Sequence, residues 1–218
     1  MPRSTLATPG IEYPDSDGQP MAETDFQRTV MTYAIEALKI HFQEREEVYV
    51  SGDLFIYYEE GNRAAAVAPD VFVAFGVGND MRRTYLLWQE GKAPDFVMEV
   101  TSLSTREEDQ GPKRELYARL GIAEYWQYDP TGAVLEPALQ GFTLSGGRYD
   151  VTLVPERVGA VWSAFSPVLG LNLRLVESKL RFHDPTTNAY LLTHQESEQA
   201  RLQAESRVAE LEARLRAL

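Results

Sequence analysis

Read for apolar spacing alone, the chain divides into stretches of different period. Residues 1–20 hold Pro2, Pro9, Pro14 and Pro20 among Ser, Asp and Gly, a composition that predicts a loop or mobile arm. From about Ala22 to Glu46, Phe26, Val30, Tyr33, Ala34, Ala37, Leu38 and His41 recur at spacings of three and four. That period predicts an amphipathic helix, capped at Thr24 or Asp25. The period then drops to two. Val48–Tyr58 (VYVSGDLFIYY) is β-branched and aromatic and predicts a strand with a bulge at Gly52. After a turn at Glu59–Asn62, Ala65–Gly76 predicts a second strand, with Pro69-Asp70 at an edge, bulge or start. Asp95–Ser102 predicts a third.

Downstream, Asp109 is a plausible helix cap and Pro112 suits a first helical turn. This helix is expected to run to about Leu120 and stop at Gly121. Ala123–Pro130 predicts a fourth strand, and the next segment a hairpin turning at Gly146-Gly147. Residues 156–192 suggest short strands and turns. From about Thr193 the chain turns to Glu, Gln, Arg, Ala and Leu, with Ala204, Val208, Leu211, Leu215 and Leu218 at alternating spacings of four and three. A protruding helix is expected there, either a short coiled coil or a single helix packed on its own domain. The order helix, three strands, helix, strand, further β structure is a mixed α/β pattern, a small sheet flanked by helices. Three segments follow: an arm at 1–20, a domain at 21–192 and a helix at 193–218.

Composition narrows the chemistry. The 218 residues suit one domain with extensions. There is no cysteine, which removes disulfides, thiolate metal sites and cysteine nucleophiles and fits a reducing compartment. No apolar run is long enough for a membrane span, and the first ten residues lack the apolar centre of a signal peptide. A cytoplasmic protein is the expectation. A formal net charge of −12 disfavours a broad electrostatic grip on DNA or anionic membranes.

One strand carries a misfit. In PDFVMEVTSLST (Pro94–Thr105), Phe96, Met98 and Val100 share one face, and Val97, Glu99 and Thr101 the other. A carboxylate within a buried strand is costly unless a charge, a set of donors or a metal compensates it. Asp70, at the head of VFVAF, poses the same problem. Adjacent strands could bring the two carboxylates to one point, and oxygen ligands of this kind are what Mg²⁺ or Mn²⁺ prefers. Lys113, early on the following helix, could be aimed at the same point, where an ammonium can position a nucleophile or stabilise charge on a phosphoryl group. Asp70, Glu99 and Lys113 are therefore the minimum set for metal-assisted phosphodiester hydrolysis. On residues alone, structural carboxylates are the more common reading.

The segments Pro69-Asp70, PDFVMEVTSLST, KRELYARLGI and EYWQYDP, with the later LGL (Leu169–Leu171) and the closing acidic helix, together resemble the Uma-two family. The resemblance spans roughly Gly18 to the tail. It implies a restriction-endonuclease-like fold of the PD-(D/E)XK type: a mixed central sheet flanked by helices, here with an added β region and a C-terminal helix. It implies a divalent-metal-dependent endonuclease acting on DNA, with Asp70 and Glu99 as metal ligands for Mg²⁺ or Mn²⁺. Thr101 departs from the pattern, which has lysine there. In the family a lysine from the following helix can replace it, and Lys113 matches that position. DGQPMAETDFQ (Asp17–Gln27) also resembles a family segment, making Glu23 a possible further acidic residue of the site or simply a first-turn glutamate. Asp53 could support the site or occupy a bulge. Gln110 could orient water or lie at the surface, and Tyr117 could hydrogen-bond near the site or pack.

Other signals carry less. Gly76-Val77-Gly78 is too short for a phosphate loop. His41, His183 and His194 show no ligand spacing, and Ser102, Ser104 and Thr105 have no nearby histidine. Tyr125, Trp126 and Tyr128 could stack on bases but suit a core better. Arg82-Arg83 and Lys113-Arg114 with Arg119 are modest basic clusters expected on solvated surfaces. The alternatives to a nuclease are a catalytically inactive module of the same fold, associating as a homodimer through its terminal helix, and a hydrolase of other phosphoesters.

Overall fold

The structure, a computed structural model, describes residues 13–15, 25–153, 155–159 and 161–216. In chain order the elements begin with α1 (Asp25–His41), β1 (Val48–Ser51), β2 (Ile56–Tyr57), β3 (Ala66–Val67), β4 (Val71–Phe75), β5 (Tyr85–Leu86) and α2 (Leu87–Glu90). Then come β6 (Phe96–Val100), α3 (Arg106–Gln110), α4 (Pro112–Arg119), β7 (Glu124–Tyr128), β8 (Leu139–Ser145) and β9 (Arg148–Leu153). The last group is β10 (Glu156–Val158), β11 (Val161–Ser166), β12 (Leu171–Val176), β13 (Lys179–Asp184), β14 (Ala189–Tyr190) and α5 (His194–Arg216).

A six-stranded central sheet runs β1-β4-β6-β7-β8-β9. It is mixed: β6 and β7 are parallel, joined through α3 and α4, and the other neighbours are antiparallel. A parallel pair needs such a crossover because the chain must return to the same end of the sheet. β6 and β7 are buried at every position, as expected of strands covered on both faces. A five-stranded antiparallel sheet, β10 to β14 in chain order, forms the added β region. A small third sheet, β3-β2-β5, flanks the other side.

The alternation along β6 sorts the core into two. Phe96 and Met98 join Ala34, Ala37 and Leu38 of α1 and Leu171, Leu173 and Phe182 of the second sheet. Val97 joins Phe72, Tyr117, Ile122 and Tyr125 beneath α4, with Ile56 and Tyr85 of the small sheet. The mixed architecture expected from the order of elements is thus present, and the hairpin turns at Gly146-Gly147 as read.

Several local expectations need correction. α1 ends at His41 rather than near Glu46, and Phe26 is 64% exposed instead of facing the core. Val48–Tyr58 is not one strand. The chain breaks after Ser51, and its two halves enter different sheets. Gly52 makes that corner possible, since a Cβ there would stand 2.0 Å from the Asp70 carbonyl oxygen. Ala65–Gly76 likewise divides at Pro69-Asp70 into β3 and β4. Asp109 is no cap for α4: it lies in the preceding helix α3, buried. Among the described residues, no helix is long and apolar enough to cross a membrane. α5 buries none of its residues.

Candidate active site

β4 and β6 pair antiparallel with Val71 opposite Met98 and Phe72 opposite Val97. One step further, Asp70 meets Glu99 at the end of the ladder. The Asp70 amide points at Glu99 Oε2 at 3.4 Å, and the Val100 amide donates to Asp70 Oδ2 at 2.6 Å. Pro69 stops the strand from extending and leaves Asp70 at its head, half-buried.

α4 covers this end of the sheet. Pro112 begins it, and Lys113 and Tyr117, four residues apart, share the stripe facing β6. Lys113 Nζ lies 3.2 Å from Glu99 Oε2. The Tyr117 hydroxyl donates to Glu99 Oε1 at 2.5 Å. The three residues singled out in the sequence therefore converge, and Tyr117 takes the hydrogen-bonding role rather than packing alone.

A fourth residue escaped the sequence reading. Asp109 Oδ1 stands 3.2 Å from the same ammonium, an ion-pair contact without a directed hydrogen bond. The Tyr125 hydroxyl donates to the Asp109 carbonyl at 2.8 Å and accepts from Gln127 Nε2 at 3.0 Å, tying α3 to β7. The signal that could have found Asp109 is its spacing, four residues before Lys113, which on a continuous helical path makes an ion pair.

Thr101, where the nuclease motif has lysine, continues β6 and donates its amide to the Tyr128 carbonyl at 2.9 Å. Its buried hydroxyl has no hydrogen-bond partner among the described residues. Gln110 is exposed and accepts from Arg106 Nε at 3.4 Å, a surface position. Asp53 is also exposed, in the left-handed region at φ 48°, and its amide donates to the Pro69 carbonyl at 2.9 Å. It belongs to the corner beside Asp70. Glu23 lies outside the described residues. Gln27, from the same sequence segment, donates from Nε2 to the Val100 carbonyl at 3.2 Å and fastens α1 to the end of β6.

Charge distinguishes Glu99 from another buried strand carboxylate, Glu124. Glu124 accepts from Trp126 Nε1 at 2.9 Å, Ser166 Oγ at 2.5 Å and the Val168 amide at 2.9 Å, a staple between two sheets. Glu99 instead pairs with the Lys113 ammonium, which Asp109 also contacts and whose charge Asp70 feels. Burial pushes its pKa up to about 8; Lys113 opposes the rise, Asp70 and Asp109 add to it, and the Tyr117 hydrogen bond works against it. Burial also works against the Lys113 ammonium, but Glu99, Asp109 and Asp70 outweigh it and raise the lysine pKa. Burial and the nearby Glu99 keep Tyr117 protonated, hence a donor.

Three acidic groups face one ammonium, so a cation bound there would offset acidic charge and favour the ionised form of Glu99. The donors are all oxygens, which suits Mg²⁺ or Mn²⁺. Among the described residues no three His, Cys, Asp or Glu side chains are arranged to hold a metal ion by themselves. Asp70 and Glu99 would thus need water or substrate oxygens to complete a coordination shell, as Mg²⁺ commonly does.

The family model for Uma2, described as "Putative restriction endonuclease", matches residues 4–175. The chain belongs to the Uma2 family. Its β4 to β7 region, with Asp70, Glu99 and Lys113, falls inside the matched span, and α5 falls outside it. A crystal structure from Anabaena variabilis, described as "a putative nuclease belonging to DUF820", is similar at 15% identity and a TM-score of 0.46, covering 63% of this chain and 75% of that one. No curated protein matches the sequence significantly.

The basic clusters resolve differently from one another. Arg82 pairs with Glu90 at 2.7 Å and stacks over the Tyr49 ring, and Arg83 pairs with Asp15 at 2.7 Å. Tyr125, Trp126 and Tyr128 are all buried in the core, as expected.

Proposed function

We propose that this Uma2 protein is a divalent-metal-dependent endonuclease that hydrolyses phosphodiester bonds of DNA. The observation that carries the reading is the convergence of Asp70, Glu99 and Lys113 from two strands and a helix onto one buried point. Asp70 and Glu99 would hold Mg²⁺ or Mn²⁺, which when bound supplies Lewis acidity at the scissile phosphate. Tyr117 fixes the Glu99 carboxylate in one orientation. Asp109 holds Lys113 beside it, and the ammonium contacts the attacking water or a phosphate oxygen, favouring the charge that develops on the phosphoryl group. The absence of cysteine supports a cytoplasmic setting.

The test is cleavage of supercoiled plasmid DNA with Mn²⁺ or Mg²⁺. Asp70→Asn and Glu99→Gln should each abolish nicking and weaken metal binding in calorimetry. Normal turnover by both variants rejects the reading.

A second reading is favoured by Thr101 standing where the motif has lysine: a nuclease-fold module that binds without turnover. Metal binding with no nicking of any nucleic acid would favour it. Under either reading we propose that α5 pairs with a second copy. Val208 and Leu215 fall at a positions and Ala204 and Leu211 at d positions of a heptad, all exposed, with Arg207 at g and Glu212 at e. In a parallel pair Arg207 faces Glu212 of the other copy, and the Val208 a and Leu211 d layers are of the kind that favours two strands.

A further inference from the structure

We propose that the cleft between α4 and the β8–β9 hairpin binds the phosphodiester backbone of DNA. This rests on the nuclease reading. The cleft, about 580 Å³, is lined by Gln110, Arg114 and Arg119 of the helical layer and by Arg148 and Tyr149 of β9, with Glu115 as its acidic member. The sequence separates Arg148 from Arg119 by a strand and a hairpin. Only the fold makes them a cluster.

A chain of net charge −12 repels a polyanion over most of its surface, so any grip on DNA has to be local. Arg82 and Arg83 cannot provide it, because Glu90 and Asp15 already neutralise them. Arg119 and Arg148 are exposed and carry no ion pair among the described residues. Arg114 donates to the Tyr149 carbonyl at 3.0 Å and lies 4.2 Å from the Phe142 ring centroid, which leaves its charge uncompensated by any carboxylate in those contacts. Guanidinium groups suit phosphate oxygens because their planar donors can engage two at once.

The cleft borders the same helical layer that carries Asp109 and Lys113. Arg114 and Gln110 follow Lys113 and Asp109 in the chain and occupy the neighbouring stripe of the helical layer. The ring of Tyr149 packs on Tyr125 at 5.8 Å, and the Tyr125 hydroxyl holds the Asp109 carbonyl. A backbone lying along Arg148, Arg119 and Arg114 would therefore run along the helix that carries Lys113.

The experiment is fluorescence anisotropy of a labelled DNA duplex with the full chain in EDTA, so that binding is read without turnover. Arg119→Glu with Arg148→Glu should weaken binding at least tenfold, and the slope of log K against log salt should become shallower by about 2. Glu115→Gln should tighten binding severalfold, which misfolding cannot imitate. Equal affinity and slope for parent and double variant overturns the proposal, as does a parent that does not bind duplex. Binding through the arginines without plasmid nicking in Mn²⁺ upholds the cleft and rejects the nuclease reading. Nicking that the double variant performs as well as the parent does the reverse.

Discussion

Lys113 Nζ stands 3.2 Å from Glu99 Oε2, and the same nitrogen is 3.2 Å from Asp109 Oδ1. One ammonium thus holds two buried carboxylates from a strand and a helix. Lys113→Met should lower DNA cleavage by a factor on the order of 10² to 10³, the usual cost of removing a charge-stabilising donor. It should also destabilise the metal-free protein, because two acidic groups lose their counter-charge. Cleavage assays and thermal unfolding in EDTA measure the two effects, and parental behaviour in both would refute the placement.

Tyr117→Phe keeps the packing of α4 but frees Glu99 Oε1. The loss of one buried hydrogen bond should cost about 1–2 kcal/mol of stability. Metal affinity or cleavage should fall by roughly 10- to 100-fold, as for groups that orient a ligand. Equal metal affinity in calorimetry and equal cleavage would show that Tyr117 is packing only.

The raised pKa of Glu99 makes a signed prediction for the metal-free protein. A carboxyl group that stays protonated to about pH 8 when folded, against 4.5 when unfolded, makes the folded state bind the extra proton between those values. Stability contributed by Glu99 is therefore greatest at low pH and is lost as pH rises from about 4.5 to about 8, by at most about 1.4 kcal/mol per pH unit. Glu99→Gln has no such proton to lose. Its Tm relative to the parent, in EDTA, should climb from pH 5 to pH 8, and a flat difference contradicts the burial argument.

Gly52→Ala tests the corner that presents Asp70. The added methyl would press on the Asp70 carbonyl oxygen at 2.0 Å and on Ile35 Cδ1 at 2.7 Å. Either β4 or α1 has to shift. A loss of about 1–3 kcal/mol, typical of overpacking, should come with reduced metal binding. Loss of stability with metal affinity intact would separate the corner from the site.

Truncation after Glu198 removes only exposed residues of α5 while keeping its anchored start. There Thr193 and Glu196 exchange hydrogen bonds, and Glu196 pairs with Arg181 at 2.8 Å. The Tm should change little, while sedimentation should show a dimer for the full chain and a monomer for the shortened one. A monomer in both cases rejects the pairing.

The parts of this architecture that were legible are those written in local period. The alternation of Phe96 to Thr101 placed Glu99 opposite the main core, and the stripe of Lys113 and Tyr117 followed from helical spacing. What escaped depended on distant chain. Val48–Tyr58 has the apolar pattern of one strand, and only the approach of Asp70 to Gly52 explains why it breaks. Asp109 has the spacing of a cap before Pro112, but a short helix precedes α4 and buries the carboxylate. Arg148 had no reason to be read with Arg119 until the hairpin folded beside α4.

β6 lies between β4 and β7, buried along its whole length, and it carries Glu99 on one face and the packing of Phe96 and Met98 on the other. Such central strands are the last part of a protein to open. Heat or denaturant should therefore leave Glu99 in register with its partners until the whole molecule gives way, so that loss of any cleavage activity and global melting fall on one curve.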